Sequence, residues 1–160
     1  MNLYRLTTEQ TAMETRLMEE LWKVHTDEEF LQHDVEATLA TMTEDAFVLN
    51  IPTGMGGRGK NEVRAFYRDS FVHSLPSDIA NQLTHRVVGD NALVDELVLS
   101  FTHTTRMDWI LPKVPPTNKK VEVDLVAVVY FRGDKIWGER IYWDHAKVLR
   151  QVGLLLAQAE

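Results

Sequence analysis

The chain has 160 residues, a formal net charge of −7 and no cysteine. Its 17 Lys and Arg residues are scattered, so nucleic acid and anionic membrane surfaces are poor partners. The lack of cysteine excludes disulfides, thiolate nucleophiles and Cys-based zinc sites. We find neither a signal-peptide pattern nor an apolar run long enough to span a membrane. These features predict a cytoplasmic protein with a single domain, residues 1–160.

The first half of the chain predicts three helices and one strand. Apolar residues at helical spacing predict a helix before residue 26 and a second helix that begins near residues 26–29. The two stripes are Met13, Leu17, Leu21 and Val24, then Leu31, Val35, Leu39 and Met42. Residues 46–51 predict a strand. Residues 61–73 predict a third helix, which ends before Leu75 and Pro76.

The second half predicts a sheet. Four β-rich runs cover residues 81–89, 91–105, 120–133 and 135–144, and turn residues stand at Gly89–Asn91 and Gly133–Asp134. No helical segment separates these runs, so they predict a curved antiparallel sheet. Residues 145–158 predict a C-terminal helix. Helices followed by a meandering sheet indicate an α+β fold.

The loop from Gly54 to Lys60 has the spacing of a phosphate-binding P-loop. Asn61 stands where that motif needs a Ser or Thr to hold magnesium. The motif also requires a parallel βαβ sheet, which the pattern here does not predict. We therefore interpret the glycines as a sharp turn between strand and helix.

Three stretches carry a family resemblance: HDVEATLATM (33–42), VPPTNKKVEV (114–123) and GERIYWDHAKVLRQVGLL (138–155). With the order of elements, they resemble the nuclear-transport-factor-2-like superfamily, and in particular its SnoaL-like branch, which includes polyketide cyclases. The resemblance implies a cone-shaped curved sheet wrapped around N-terminal helices, with a pocket at its wide end. It implies a core at residues 33–157 after a helical extension, 1–32. It also implies a homodimer and, where members are enzymes, acid/base chemistry without a cofactor.

One position departs from this pattern. SnoaL-like cyclases resemble one another in an acid/base Asp on the strand after the PPT loop, and that position falls at Ala127 here. The Asp on the first helix of the dehydratase branch does not match Asp34 either, because its counterpart is nearer Phe30 or Leu31. The resemblance therefore predicts the fold but not the mechanism.

Three residues are the predicted catalytic groups: His103, Asp108 and Tyr142. His103 shares strand parity with Leu97, Leu99 and Phe101, which turns it toward the apolar face, either as a proton shuttle or as a hydrogen-bonded core residue. Asp108 beside Trp109 is either a desolvated base or a loop brace. Tyr142 with Asp144 could polarise a carbonyl oxygen, whereas Asp144 alone is also the expected N-cap of the last helix.

A wider set completes the predicted site. The predicted substrate-binding residues are Asp34, Asn50, Trp109, Glu122, Trp143 and Asp144. Four histidines do not pair with carboxylates at a recognised metal spacing, so we predict neither a metal nor a cofactor. These histidines are His25, His73, His85 and His145.

These observations predict a small cofactor-independent enzyme that binds a hydrophobic, carbonyl-bearing molecule and cyclises, isomerises or dehydrates it. His103 would be the general acid or base. Asp108 would tune the acid/base strength of His103, and Tyr142 would contact the developing oxyanion. Two alternatives remain open at this point: a protein that binds a small ligand without converting it, which Ala127 favours, and a dimeric scaffold with a filled core.

Overall fold

The computed structural model describes residues 3–156, with side chains from residue 14 onward. Its four α-helices are α1 (Leu3–Asp27), α2 (Val35–Ala40), α3 (Lys60–Phe66) and α4 (His145–Gln151). A π-helical turn, Glu28–Gln32, follows α1, and another, Tyr67–Phe71, follows α3 and leads into a 3-10 turn, Val72–Ser74. None of the helices within residues 3–156 has the length and apolar character needed to cross a bilayer.

Six strands form one curved sheet. They are β1 (Met42–Asn50), β2 (Met55–Arg58), β3 (Ala80–Val88), β4 (Ala92–Thr102), β5 (Lys120–Arg132) and β6 (Lys135–Trp143). Their order across the sheet is β2-β1-β6-β5-β4-β3. Neighbouring strands are antiparallel, except that β1 and β6 are parallel. The predicted α+β class and curved sheet are confirmed, and the parallel pair is a feature that the meander pattern did not predict.

The inner face of the sheet carries the apolar core. Val123, Leu125, Ala127 and Val129 of β5 are buried, whereas the alternating residues Glu122 and Asp124 are exposed. The alternation of a strand therefore places Ala127 inside. The helices cover this face, since α1, α3 and the π turn after α3 contribute Trp22, Val63 and Phe71 to the same core.

The helix boundaries differ from the prediction at two places. The break between the first two helices lies at His33, whose φ is 56°, and not near residue 26. Leu17, Val24 and Leu31 are exposed, so the predicted apolar stripes were wrong at these positions. Helix α4 ends at Gln151, because Gly153 adopts a φ of 81° and stops the last turn. Residues 157 and 158 of the predicted last helix lie outside the described residues.

The glycine loop forms a hairpin and not a phosphate cradle. Strand β2 pairs with β1 antiparallel, and a Cβ on Gly56 would lie 1.9 Å from the carbonyl oxygen of Val48. A Cβ on Gly57 would lie 2.6 Å from the backbone of Glu62. Lys60 forms an ion pair with Glu44 at 2.9 Å. Gly56 and Gly57 are therefore required for close backbone packing.

Candidate functional site

A cavity of about 540 Å³ lies between the sheet and the helices. Most of its wall is apolar and combines side chains from β1, β4, β5 and β6 with aromatic rings from the helical segments and from the loop at Trp109. The apolar lining comprises Val48, Leu97, Leu99, Leu125, Ala127, Ile141, Phe30, Phe66, Phe71 and Trp109. Exposed lining residues of α1 and of the edge strand β3, such as Lys23 and Leu83, place its mouth between these two elements.

A buried cluster of four polar side chains forms the floor of this cavity. Glu29, Tyr67 and Glu139 line the cavity, and His25 lies behind them, fully buried. The Nε2 atom of His25 lies 3.2 Å from Glu29 Oε1 and 3.0 Å from Glu139 Oε1. The hydroxyl of Tyr67 donates to Glu139 Oε1 at 3.2 Å. One imidazole thus bridges two carboxylates that a ligand in the cavity could reach.

Local structure brings these residues together. His25 and Glu29 are four residues apart, and the π turn continues α1, so both side chains lie on one face. Tyr67 is the first residue of the other π turn. Such turns are often found at functional sites because they re-aim side chains within a helix. Glu139 shares inward parity on β6 with Ile141, which also lines the cavity.

The protonation state of His25 follows from its partners. The Thr41 hydroxyl donates to the Thr38 carbonyl at 2.7 Å, so it can only accept a hydrogen bond from His25 Nδ1, also at 2.7 Å. Nδ1 therefore carries a proton, and Nε2 faces two carboxylates. Burial disfavours the charged imidazolium, but Glu29 and Glu139 outweigh burial and raise the pKa of His25 to about 10. His25 is a cation at neutral pH.

The pKa values of Glu29 and Tyr67 in this cluster are also raised. Burial raises the pKa of Glu29, and the attraction of His25 offsets this only in part. Burial, followed by the negative charge of Glu139, raises the pKa of Tyr67 well above its ordinary value. A buried carboxyl with a raised pKa is suited to exchanging a proton near neutral pH.

A second polar network lies in the wall above the floor. Asp95 is buried and accepts hydrogen bonds from Arg86 Nε at 2.7 Å, Arg86 Nη2 at 2.8 Å and Trp22 Nε1 at 2.9 Å. The ring of Trp22 stacks on His25 with 5.3 Å between centroids. Trp22 therefore separates the two networks and is held in place by both.

Two of the residues predicted for the site line the cavity, Asn50 and Trp109. Asn50 is buried and donates one amide N–H to the carbonyl oxygen of Met55 at 3.2 Å, which leaves its second N–H for a ligand. Trp143 does not line the cavity but packs edge-on against Trp109, with 6.0 Å between ring centroids.

The predicted catalytic residues lie elsewhere. His103 is fully buried, as its parity predicted, but lies outside the cavity lining, and its Nδ1 accepts the N–H of Thr117 at 3.3 Å. Burial lowers the pKa of His103, so it is neutral. The side chain of Tyr142 is on the outer face of the sheet and is 38% exposed. These placements remove the basis for the catalytic roles predicted for His103 and Tyr142.

Asp108 is a loop brace and not a desolvated base. It accepts hydrogen bonds from Arg106 at 2.9 Å and from the backbone N–H of Lys113 at 2.8 Å. Burial opposes its charge, but these two donors outweigh burial and lower its pKa. The alternative that Asp108 braces its loop fits this geometry, because a base requires a pKa shift in the other direction.

The remaining predicted carboxylates have structural positions. Asp34 caps α2 through the N–H of Ala37 at 2.9 Å, and Asp144 caps α4 through the N–H of Lys147 at 3.0 Å. Glu122 is exposed on β5, away from the cavity. Neither Asp34, Asp144 nor Glu122 reaches the cavity, so none of them contacts a ligand bound there.

The statement that no histidine pairs with carboxylates at metal spacing was wrong for His25. Within residues 14–156, His25, Glu29 and Glu139 place one ligand atom each within 4.8 Å of one another. Sequence reasoning missed this cluster because the predicted break near residue 26 put His25 and Glu29 in different helices. The pattern H-x-x-x-E within one continuous helix was the available signal.

Comparison with known proteins identifies the family. Residues 25–139 match the family model of the SnoaL-like domain. No curated protein matches the chain.

Solved structures share the fold. A hypothetical protein with a ketosteroid isomerase-like fold from Catenulispora acidiphila, in complex with trimethylamine, is 15% identical with a TM-score of 0.63, over 84% of this chain and 93% of that one. AclR from Streptomyces galilaeus, named as a candidate hydroxylase, is 14% identical with a TM-score of 0.63, over 92% and 89%. A protein from Bacillus cereus named as a candidate polyketide cyclase is 16% identical with a TM-score of 0.55, over 77% and 72%.

These likenesses confirm the predicted nuclear-transport-factor-2-like fold. The family match covers most of the chain and includes all four members of the floor cluster, His25, Glu29, Tyr67 and Glu139. The chain therefore belongs to the SnoaL-like domain family.

Proposed function

We propose that the protein is a small enzyme that binds a hydrophobic, carbonyl-bearing molecule in its cavity and moves protons on it, in a cyclisation, isomerisation or dehydration. One observation carries the proposal. Glu29, Tyr67 and Glu139 are buried polar groups that open onto an apolar cavity of about 540 Å³. An apolar pocket with a few convergent polar groups and perturbed pKa values is the usual composition of an active site.

The floor cluster supplies the roles that such a reaction needs. Glu29 is the proposed base, because burial raises its pKa and makes it a stronger proton acceptor than an exposed carboxylate. The imidazolium of His25 stabilises the charged cluster from behind, at 3.2 Å from Glu29. The second N–H of Asn50 is the donor available to a developing oxyanion, because the hydroxyl of Tyr67 already donates to Glu139. The proposed reaction therefore uses only side chains of this protein.

A binding experiment tests the cavity first. Thermal unfolding is measured against polycyclic ketones, aromatic lactones and epoxides, with Mg-ATP as the control. A ligand at about a hundred times its dissociation constant adds roughly 2.7 kcal/mol, which shifts the melting temperature by several degrees. We expect a shift with one apolar carbonyl class and none with Mg-ATP. A shift with Mg-ATP alone would contradict the proposal.

A second candidate is a protein that binds such a ligand without converting it. The observation that favours it is Ala127, which lines the cavity where the resembling cyclases carry an acid. Mass spectrometry of ligand recovered after incubation separates the two candidates. A product of altered mass or altered retention supports the enzyme, and unchanged ligand after many hours at saturation supports the binding protein.

A further inference from the structure

The charges around the cavity floor are unbalanced. Glu29 and Glu139 line the cavity, and the positive charge beside them, on His25, is shared between both at 3.2 and 3.0 Å. Two carboxyl groups thus share one imidazole in a buried site, so ionisation of both leaves one negative charge without a partner of its own. A buried charge without a partner is costly, so the floor requires either a further proton or a cation.

The mouth of the cavity, in contrast, is balanced. Arg86 pairs with Asp95 at 2.7 Å and lies 3.6 Å from Glu19, and Lys23 pairs with Asp27. Outside the floor, three of the charged residues that line the cavity are basic (Arg16, Lys23, Arg86) and three are acidic (Glu19, Glu20, Asp95), so the charges of these lining residues cancel. Within the part of the chain whose side chains are described, the excess negative charge of this cavity is therefore confined to its floor.

Aromatic rings stand next to that floor. Tyr67, whose hydroxyl contacts Glu139, packs against Phe66 and Phe71 with 5.7 and 5.8 Å between ring centroids. Phe71 also contacts Phe30 and Trp109 at 5.8 and 5.2 Å. All five rings line the cavity. Aromatic faces attract ammonium groups, most strongly where water is excluded.

We propose that the carbonyl compound bound in this cavity also carries an alkylammonium group, which lies between the carboxylates of Glu29 and Glu139 and the aromatic wall. The ammonium supplies the missing positive charge, and its alkyl substituents fill apolar space that a metal ion or a proton leaves empty. This inference depends on the proposed function, because it takes the cavity as the substrate site.

A matched pair of ketones tests the inference. The first probe is 4-(dimethylamino)-1-phenylbutan-1-one, a cation at pH 7. The second is its neutral isostere 5-methyl-1-phenylhexan-1-one, in which CH replaces the protonated nitrogen. Dissociation constants are measured from quenching of the fluorescence of Trp22 and Trp109, which line the cavity. We expect the cation to bind at least tenfold more tightly, and equal or weaker binding of the cation overturns the inference.

Substitutions test whether the preference for the cationic ketone depends on Glu29. Glu29→Gln keeps the shape of the side chain and removes one charge, and we expect it to reduce the preference for the cation at least fivefold while affinity for the neutral ketone stays within twofold. Glu96→Gln is the matched control, because Glu96 is exposed and pairs with His85 at 3.5 Å, away from the cavity. An unchanged preference in Glu29→Gln contradicts the proposed position of the ammonium.

The wild-type protein gives a readout that does not depend on the variants. Nuclear Overhauser effects are expected between the N-methyl protons of the bound amine and the ring protons of Tyr67 or Phe66. Their absence from a saturated complex overturns the inference. If the neutral ketone binds and the amine binds no better, only the ammonium inference is wrong. If neither probe binds, the proposed function is wrong, and the inference falls with it.

Discussion

Raising the pH from 7 to 10 should destabilise the protein through His25. The pKa of His25 is raised from 6.5 to about 10 in the folded state by Glu29 and Glu139 against the effect of burial. Its stabilising contribution is therefore complete below pH 6.5, where folded and unfolded chains are both protonated. It is lost as the pH rises through about 10, because between these values only the folded chain keeps the proton. The raised pKa values of Glu29 and Tyr67 also reduce stability as the pH rises, but the effect of Glu29 begins above pH 4.5 and that of Tyr67 only above pH 10.

The size of the effect follows from proton linkage. One additional proton on the folded state lowers the free energy of unfolding by about 1.4 kcal/mol for each pH unit. Over the window from 6.5 to about 10 the loss from His25 is on the order of 5 kcal/mol. Such a loss is comparable with the whole stability of many single domains, roughly 5–15 kcal/mol.

Urea unfolding at pH 7, 8 and 9 measures this slope. We expect it to flatten in His25→Gln and to persist in His85→Gln, because His85 is exposed on β3. If His25→Gln does not fold, nitrogen-15 spectra of wild-type His25 give the same answer, since both ring nitrogens should remain protonated at pH 8. A His25 that titrates near 6.5, or a stability that does not fall between pH 7 and 9, would refute the reasoning.

Four further substitutions test three separate features. Thr41→Val removes the acceptor of the buried His25 Nδ1–H, so urea unfolding should show a loss of about 1–3 kcal/mol, and an unchanged midpoint would show that this hydrogen bond is dispensable. Gly56→Ala places a Cβ 1.9 Å from a carbonyl oxygen and should abolish folding as judged by circular dichroism. Gly54→Ala meets nothing within 4 Å and, at a φ of 70°, should cost only about 1 kcal/mol. Ala127→Leu fills part of the cavity, so calorimetry should show at least tenfold weaker ketone binding in a folded protein; undiminished binding would place the ligand elsewhere.

The sheet could be predicted from sequence because its signals are local. Alternation along β5 separates buried Val123, Leu125 and Ala127 from exposed Glu122 and Asp124, and turn residues mark the hairpins. The parallel contact between β1 and β6 joins segments that are far apart in the chain, so no local pattern reports it.

The floor of the cavity could not be predicted because it depends on one helix boundary. Leu31 continued an apolar stripe in the sequence, but it is 68% exposed, and the chain instead turns at His33. A π turn also changes the phase of the helix, which a fixed period of 3.6 residues cannot follow. His103 was assigned to the site for a different reason. Its position in the alternation of the strand predicts that the side chain is buried, but this alternation does not show which buried residues border a cavity.

Exchange of ketone α-protons for deuterium tests the central claim most directly. The acetyl protons of 2-acetylnaphthalene are followed by NMR in D₂O at neutral pD, at a ketone concentration that saturates the cavity. If Glu29 is a base on a bound carbonyl compound, the wild-type protein should exchange these protons well above the buffer rate, and Glu29→Gln should return the rate to that of buffer. Exchange at the buffer rate in a saturated wild-type protein would contradict the account.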